Sequence, residues 1–138
     1  MKSFKEIQDE TIKNYNITIV EKSTCRSRTH AHIKQRKVCK WKQASSIQST
    51  FTLFHEIGHI MTKKSWMRRC ESEYAATVWA LDECKKYNLT VPYEVIRDYQ
   101  NYIYNELDRG LRRGGMGLPS REYLKLDCSG VQVKRRLI

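Results

Sequence analysis

Between Ile47 and Met61, apolar residues recur as Ile47, Phe51, Phe54, Ile57, Ile60 and Met61, the spacing of a helix that buries most of its circumference. Its remaining stripe is polar and carries Thr52, His55, Glu56 and His59. Ser45, Ser46 and Ser49 stand at its start, where a side-chain oxygen can accept from the free N–H groups of a first turn. A second helical run extends from about Cys70 to Tyr87, with Asn88 as its C-cap. Glu73, Ala76, Thr77 and Ala80 share one face of it, while Glu71 shares a stripe with Tyr74, Ala75 and Val78. Small residues on the first face let two helices approach closely. The intervening Met61 to Arg69 reads as helix end and loop, with Lys63 and Lys64 placed against the negative helix C-terminus.

Weaker patterns surround this pair. Phe4, Ile7, Thr11 and Ile12 predict an N-terminal amphipathic helix ending near Asn14 to Asn16. The β-branched run from Asn16 to Glu21 predicts a strand, and Ser23 to Thr29 a polar turn. Ala31 to Trp41 reads as a second strand with broken alternation, antiparallel to the first and the candidate free edge of the sheet. Thr90 as N-cap and Pro92 in the first turn open a third helix, from about Val91 to Asp108. Arg109 to Gly117 then forms a glycine-rich loop, a linker, lid or basic contact that lacks the Gly-Lys-Ser/Thr end of a phosphate loop. From Leu118 onward the chain reads as weakly structured, with a short strand at Gly130 to Lys134. The sum is a single α+β domain.

The polar stripe contains a motif. His55-Glu56-Ile57-Gly58-His59 is HExxH, which on a helix stacks two imidazoles one turn apart on the same face. Such a pair can grip one metal ion, and zinc suits neutral imidazole nitrogens in tetrahedral geometry. Glu56, roughly a quarter turn away, is placed to act as general base toward a water at that site. The competing explanation is a core helix with two hydrogen-bonded histidines. A catalytic zinc usually takes three protein ligands, and the next helix supplies the third: Glu73, with Glu71 the alternative. His30 and His32, two apart at the start of the second strand, are either exposed loop residues or groups that support the site and donate to an oxyanion. Tyr93, Tyr99, Tyr102 and Tyr104 on the third helix offer one further oxyanion donor, the rest being packing residues.

His-Glu-Ile-Gly-His, followed by Glu73-Tyr-Ala-Ala76-Thr-Val-Trp79-Ala80, resembles the ImmA/IrrE-type metallopeptidases, whose pattern is HExGH and then E-x-x-A-N-x-F-A. Thr77 stands where that family has Asn, and Trp79 where it has Phe. The resemblance covers about residues 1–81, leaving residues 82–138 as a helical and basic C-terminal extension. It implies a zincin-like fold of the gluzincin kind, with His55, His59 and Glu73 as ligands of Zn²⁺ and Glu56 as the catalytic Glu. It further implies an edge strand that pairs with substrate, and a cytoplasmic protein substrate such as a helix-turn-helix repressor of a phage or mobile element.

Composition adds bounds. With 138 residues, 40% hydrophobic and 30% charged, the chain has the makings of a modest core of its own. No apolar run is long enough to span a membrane, and the N-terminus lacks an apolar signal region. Five cysteines without a CxxC pair point to free thiols in a cytoplasmic protein rather than disulfides or a cysteine-based zinc site. The net charge of +11 is spread over Arg26–Lys42, Lys63–Arg69, Arg109–Arg113 and Lys134–Arg136, with no DNA-binding motif beside it. Charge alone supports only salt-sensitive attraction to polyanions. It leaves open a second class of function, a non-catalytic module that binds a protein partner or nucleic acid through a basic surface.

Overall fold

A computed structural model describes residues 2–21 and 28–135; most of the polar segment read as a turn at 23–29, with Cys25 and Arg26, lies outside the described residues. The chain runs α1 (Phe4–Asn14), β1 (Thr18–Val20), β2 (His30–His32), β3 (Lys37–Cys39), α2 (Ile47–Thr62), α3 (Arg69–Lys86), β4 (Thr90–Pro92), α4 (Tyr93–Arg112) and β5 (Gln132–Lys134). This is the expected α+β class.

Helix α2 is the centre of the molecule. Phe51, Leu53, Phe54 and Ile57 are fully buried, so only the histidine stripe is left to face a cleft. Its first turn is capped by Ser46, whose Oγ accepts from the Ser49 N–H at 3.1 Å. The Gln8 side chain ties α1 to this end, donating to the Ala44 carbonyl and to Thr50 Oγ1, each at 2.9 Å. Three helices end alike: the N–H groups of Asn16, Asn88 and Gly114, and of the residue after each, reach back to the last-turn carbonyls. All three residues sit at positive φ, which Asn and Gly adopt most readily.

The sheet departs from expectation in two ways. Ala31 to Trp41 is not one strand: it folds back on itself as the β2–β3 hairpin, turning through residues 33–36 with Arg36 at positive φ. And β1 pairs with β3 in parallel, not antiparallel, giving the order β1-β3-β2 with β2 at the edge. The turn inside that segment accounts for its broken alternation. Further along, Thr90 is not an N-cap. Thr90–Pro92 forms β4, Pro92 precedes the first turn of α4, and the Thr90 hydroxyl donates to Gln132 Oε1. Helix α4 runs four residues past the expected end, to Arg112.

The segment after Leu118 is tethered despite its weak periodicity. Leu124 and Leu126 are buried, and the Gln100 amide bridges them, donating to the Leu124 carbonyl and accepting from the Leu126 N–H. Strand β5 pairs in parallel with β4. One buried cluster joins Ile7, Phe51 and Phe54 with Val91, Ile103, Leu107 and Leu124, so early and late segments share a core. Among the described residues no helix is long and apolar enough to cross a membrane.

The α2–α3 contact is what brings the polar stripe to its partners. At Gly58 the two backbones nearly touch: a Cβ there would lie 2.5 Å from the Ala76 carbonyl oxygen and 3.0 Å from Ala76 Cα. Backbone cannot give way as a side chain can, so α3 must move. Gly58→Ala gains about 1 kcal/mol of helix propensity, while overpacking costs about 1–3 kcal/mol. We expect a net loss of stability and, because α3 carries Glu73, a larger loss of metal affinity. Thermal melts and metal titration of the variant check both; an unchanged affinity would mean the close approach does not set the ligand geometry.

Candidate metal centre

Helix α2 presents His55 and His59 one turn apart, and α3 presents Glu73 opposite them. His55 Nε2 lies 3.0 Å, and His59 Nε2 3.2 Å, from the same Glu73 oxygen, Oε2. All three side chains are largely buried, and their ligating atoms fall within 4.8 Å of one another. Glu71, the alternative, points elsewhere: its carboxylate accepts from the Arg68 N–H at 3.1 Å and caps α3.

The hydroxyls of α3 orient the imidazoles. Thr77 Oγ1 donates to the Glu73 carbonyl at 2.8 Å, which uses its single proton. His55 Nδ1, 3.2 Å from the same oxygen, must therefore be the donor to it. In a neutral imidazole that leaves a lone pair on Nε2, aimed at the Glu73 carboxylate. Two lone pairs at such a distance repel unless a cation, a proton or a metal ion, lies between them. Ser72 Oγ sits 3.2 Å from His59 Nδ1 in the matching role. Ligation by imidazoles whose other nitrogen is held in this way is the usual arrangement at metal sites.

The donor set fits zinc. Bonds of about 2.0–2.2 Å in a tetrahedron place neighbouring ligand atoms roughly 3.3–3.5 Å apart. The observed 3.0 and 3.2 Å separations would open by a few tenths of an ångström. Two imidazoles and a carboxylate also match a site that keeps a fourth position free.

Electrostatics follow from burial. Burial drives the Glu56 carboxyl upward, and although the charges of His55 and His59 oppose this, the net shift is up. For Glu73 burial acts the same way, but with a proton between carboxylate and imidazole, hydrogen bonds from His55 and His59 outweigh it and hold the carboxyl well below the usual range. Burial would lower His59, yet the Glu73 hydrogen bond and charge raise it overall. Tyr99 is pushed up to about 12 by burial, the Thr52 hydroxyl opposing, so its OH stays protonated at neutral pH.

These shifts set a pH dependence for the chelated protein. The contribution of Glu73 is complete above its ordinary value of 4.5 and fades as pH falls toward its lowered one. That of His59 is complete below 6.5 and is lost as pH rises through its raised value. Glu56, raised as well, also disfavours the fold as it ionises with rising pH. Melting temperature in the presence of a chelator is therefore expected to be highest between pH 4.5 and 6.5 and to fall as pH rises further. Metal loading should reverse that fall, since ligation needs deprotonated imidazoles. A chelated protein that is equally stable at both ends would contradict these shifts.

The triad opens into a cleft of about 570 Å³ bounded by α2, α3, α4 and the β2 edge. Glu56, Tyr99, Thr29 and Ala31 line it, and Arg28 and Lys63 give it positive charge. Of the four tyrosines weighed from sequence, Tyr99 and Tyr102 reach this cleft, with the Tyr99 ring centroid 4.7 Å from that of His55. Tyr93 and Tyr104 instead carry Arg135 and Arg121 on their faces. His30 is a buried strand residue on the cleft wall, not an exposed loop histidine. The glycine-rich loop does not line the cleft; the Arg68 guanidinium donates to its Met116 carbonyl. Sequence reading missed the roles of Ser72 and Thr77, although Thr77 already stood one turn after Glu73 on the same face.

Comparison with protein-family models, with curated proteins and with solved structures finds no match. The chemistry of the centre therefore rests on its own residues.

Proposed function

We propose that the chain is a zinc-dependent metallopeptidase with a zincin-like fold, acting on a protein substrate. The observation that carries this reading is the convergence of His55 and His59 on one Glu73 oxygen, with a buried Glu56 beside them in an open cleft. His55, His59 and Glu73 would hold the ion, which when bound supplies Lewis acidity toward a water and a peptide carbonyl. Glu56 takes a proton from the attacking water and delivers it to the leaving amide nitrogen. Its upward shift makes it a stronger base toward that water. Tyr99, protonated and with its ring against His55, is a donor available to an oxyanion.

An extended peptide fits the cleft by adding to β2, the sheet edge that forms its wall. Arg28 and Lys63 at the rim favour an acidic segment. The family resemblance of the two motifs suggests a helix-turn-helix repressor of a phage or mobile element as substrate, and a cytoplasmic setting. The test is incubation of zinc-loaded protein with such repressors, followed by intact-mass measurement. Paired fragments whose masses sum to the substrate plus one water, and which vanish on chelation, are expected. Repressors that stay intact while free amides of other kinds are hydrolysed would move the chain to another class of zinc hydrolase.

A further inference from the structure

The β2–β3 hairpin carries a second group of metal-ligating side chains that the peptidase reading leaves unused. His30 and His32 lie two apart on one strand and so share a face. Cys39 is the cross-strand partner of His30 in the antiparallel register, which sets it beside them. One ligand atom from each of the three falls within 4.8 Å of the others. His30 is only 4% exposed and Cys39 3%, with His32 partly buried.

His30 is already set for ligation. Its Nδ1 lies 2.8 Å from the Arg28 carbonyl oxygen. A carbonyl only accepts, so Nδ1 carries the proton and Nε2 keeps the lone pair. That Nε2 is buried and has no hydrogen-bond partner among the described residues. Leaving such an acceptor unsatisfied is costly in a buried site, and a cation removes that cost. Ligating histidines commonly hold their other nitrogen on a backbone carbonyl in this way.

We propose that His30 Nε2, His32 and the Cys39 thiolate form a second metal site, for a zinc-class ion, which clasps the hairpin at the cleft wall. Two imidazoles and a thiolate suit borderline and soft metals and disfavour magnesium and calcium. His32, at the partly exposed edge, has the freedom to draw the three atoms together on loading. Because His30 also lines the cleft, a filled site fixes the β2 edge beside the His55 centre. The two centres share no residue, so this site stands or falls separately from the peptidase reading.

Cobalt(II) titration of the full chain, stripped of metal and kept reduced, tests it. Two equivalents should bind, with an intense thiolate-to-cobalt absorption in the near ultraviolet. Cys39→Ser should remove that band and one equivalent while keeping the other, and Glu73→Gln should keep the band. His32→Ala, at a partly exposed position and so safe for folding, should weaken the thiolate-bound equivalent by about tenfold or more. Binding without a thiolate band would overturn the proposal, and so would a band that survives both Cys39→Ser and His32→Ala.

Discussion

Glu56→Gln is expected to lower hydrolysis by about 100- to 10,000-fold, the usual contribution of a positioned acid–base group. Gln keeps the size and shape of the side chain but neither takes nor gives a proton. The ligating atoms of His55, His59 and Glu73 are untouched, so zinc content should not change. Stability should hold or rise above neutral pH, because a buried carboxylate that resists ionisation is replaced by a neutral amide. Kinetics, bound-metal analysis and thermal melts on one preparation separate the possibilities. Lost hydrolysis with retained metal and partner binding is the signature of a peptidase. A biological effect that persists in this variant would instead favour a module that works by binding alone.

The second large effect is expected at Glu73. Its carboxylate oxygen lies 3.0 Å from the His55 and 3.2 Å from the His59 imidazole nitrogen. Glu73→Ala removes the proposed third ligand, so zinc affinity should drop by more than the roughly 10- to 100-fold seen when only a ligand's supporting group is lost. Glu71→Ala should leave affinity intact and cost about 0.5–1 kcal/mol, since it deletes a helix cap. Metal content after purification without added zinc, compared across the two variants, decides the matter. Retained affinity in Glu73→Ala with loss in Glu71→Ala would reverse the ligand assignment.

Helix α2 and its HExxH pair were legible in the sequence because their information is local. A period of 3.6 residues fixes which side chains share a face before any tertiary contact forms. The same local rule put Glu73 on the small-residue face of α3, opposite that pair. The hairpin was not legible. Its strands are three residues long, too short for alternation to declare itself, and its pairing depends on a turn at Arg36 within an apparently continuous run. The docking of Leu124 and Leu126 was hidden for a similar reason: two leucines in an irregular segment have no period, and a distant glutamine holds them.

The chain's order of residues thus set which groups are presented: two imidazoles and a carboxylate on one helix, two candidate carboxylates at the start of the next, and the class α+β. Folding in three dimensions chose among them. It let Glu73 and not Glu71 meet the histidines, because the backbones of Gly58 and Ala76 touch and aim only one face of α3 at α2. It also turned Thr77 and Ser72 toward the imidazoles and buried His30 beside Cys39. Such outcomes depend on contacts between residues far apart in the chain, which no local period encodes.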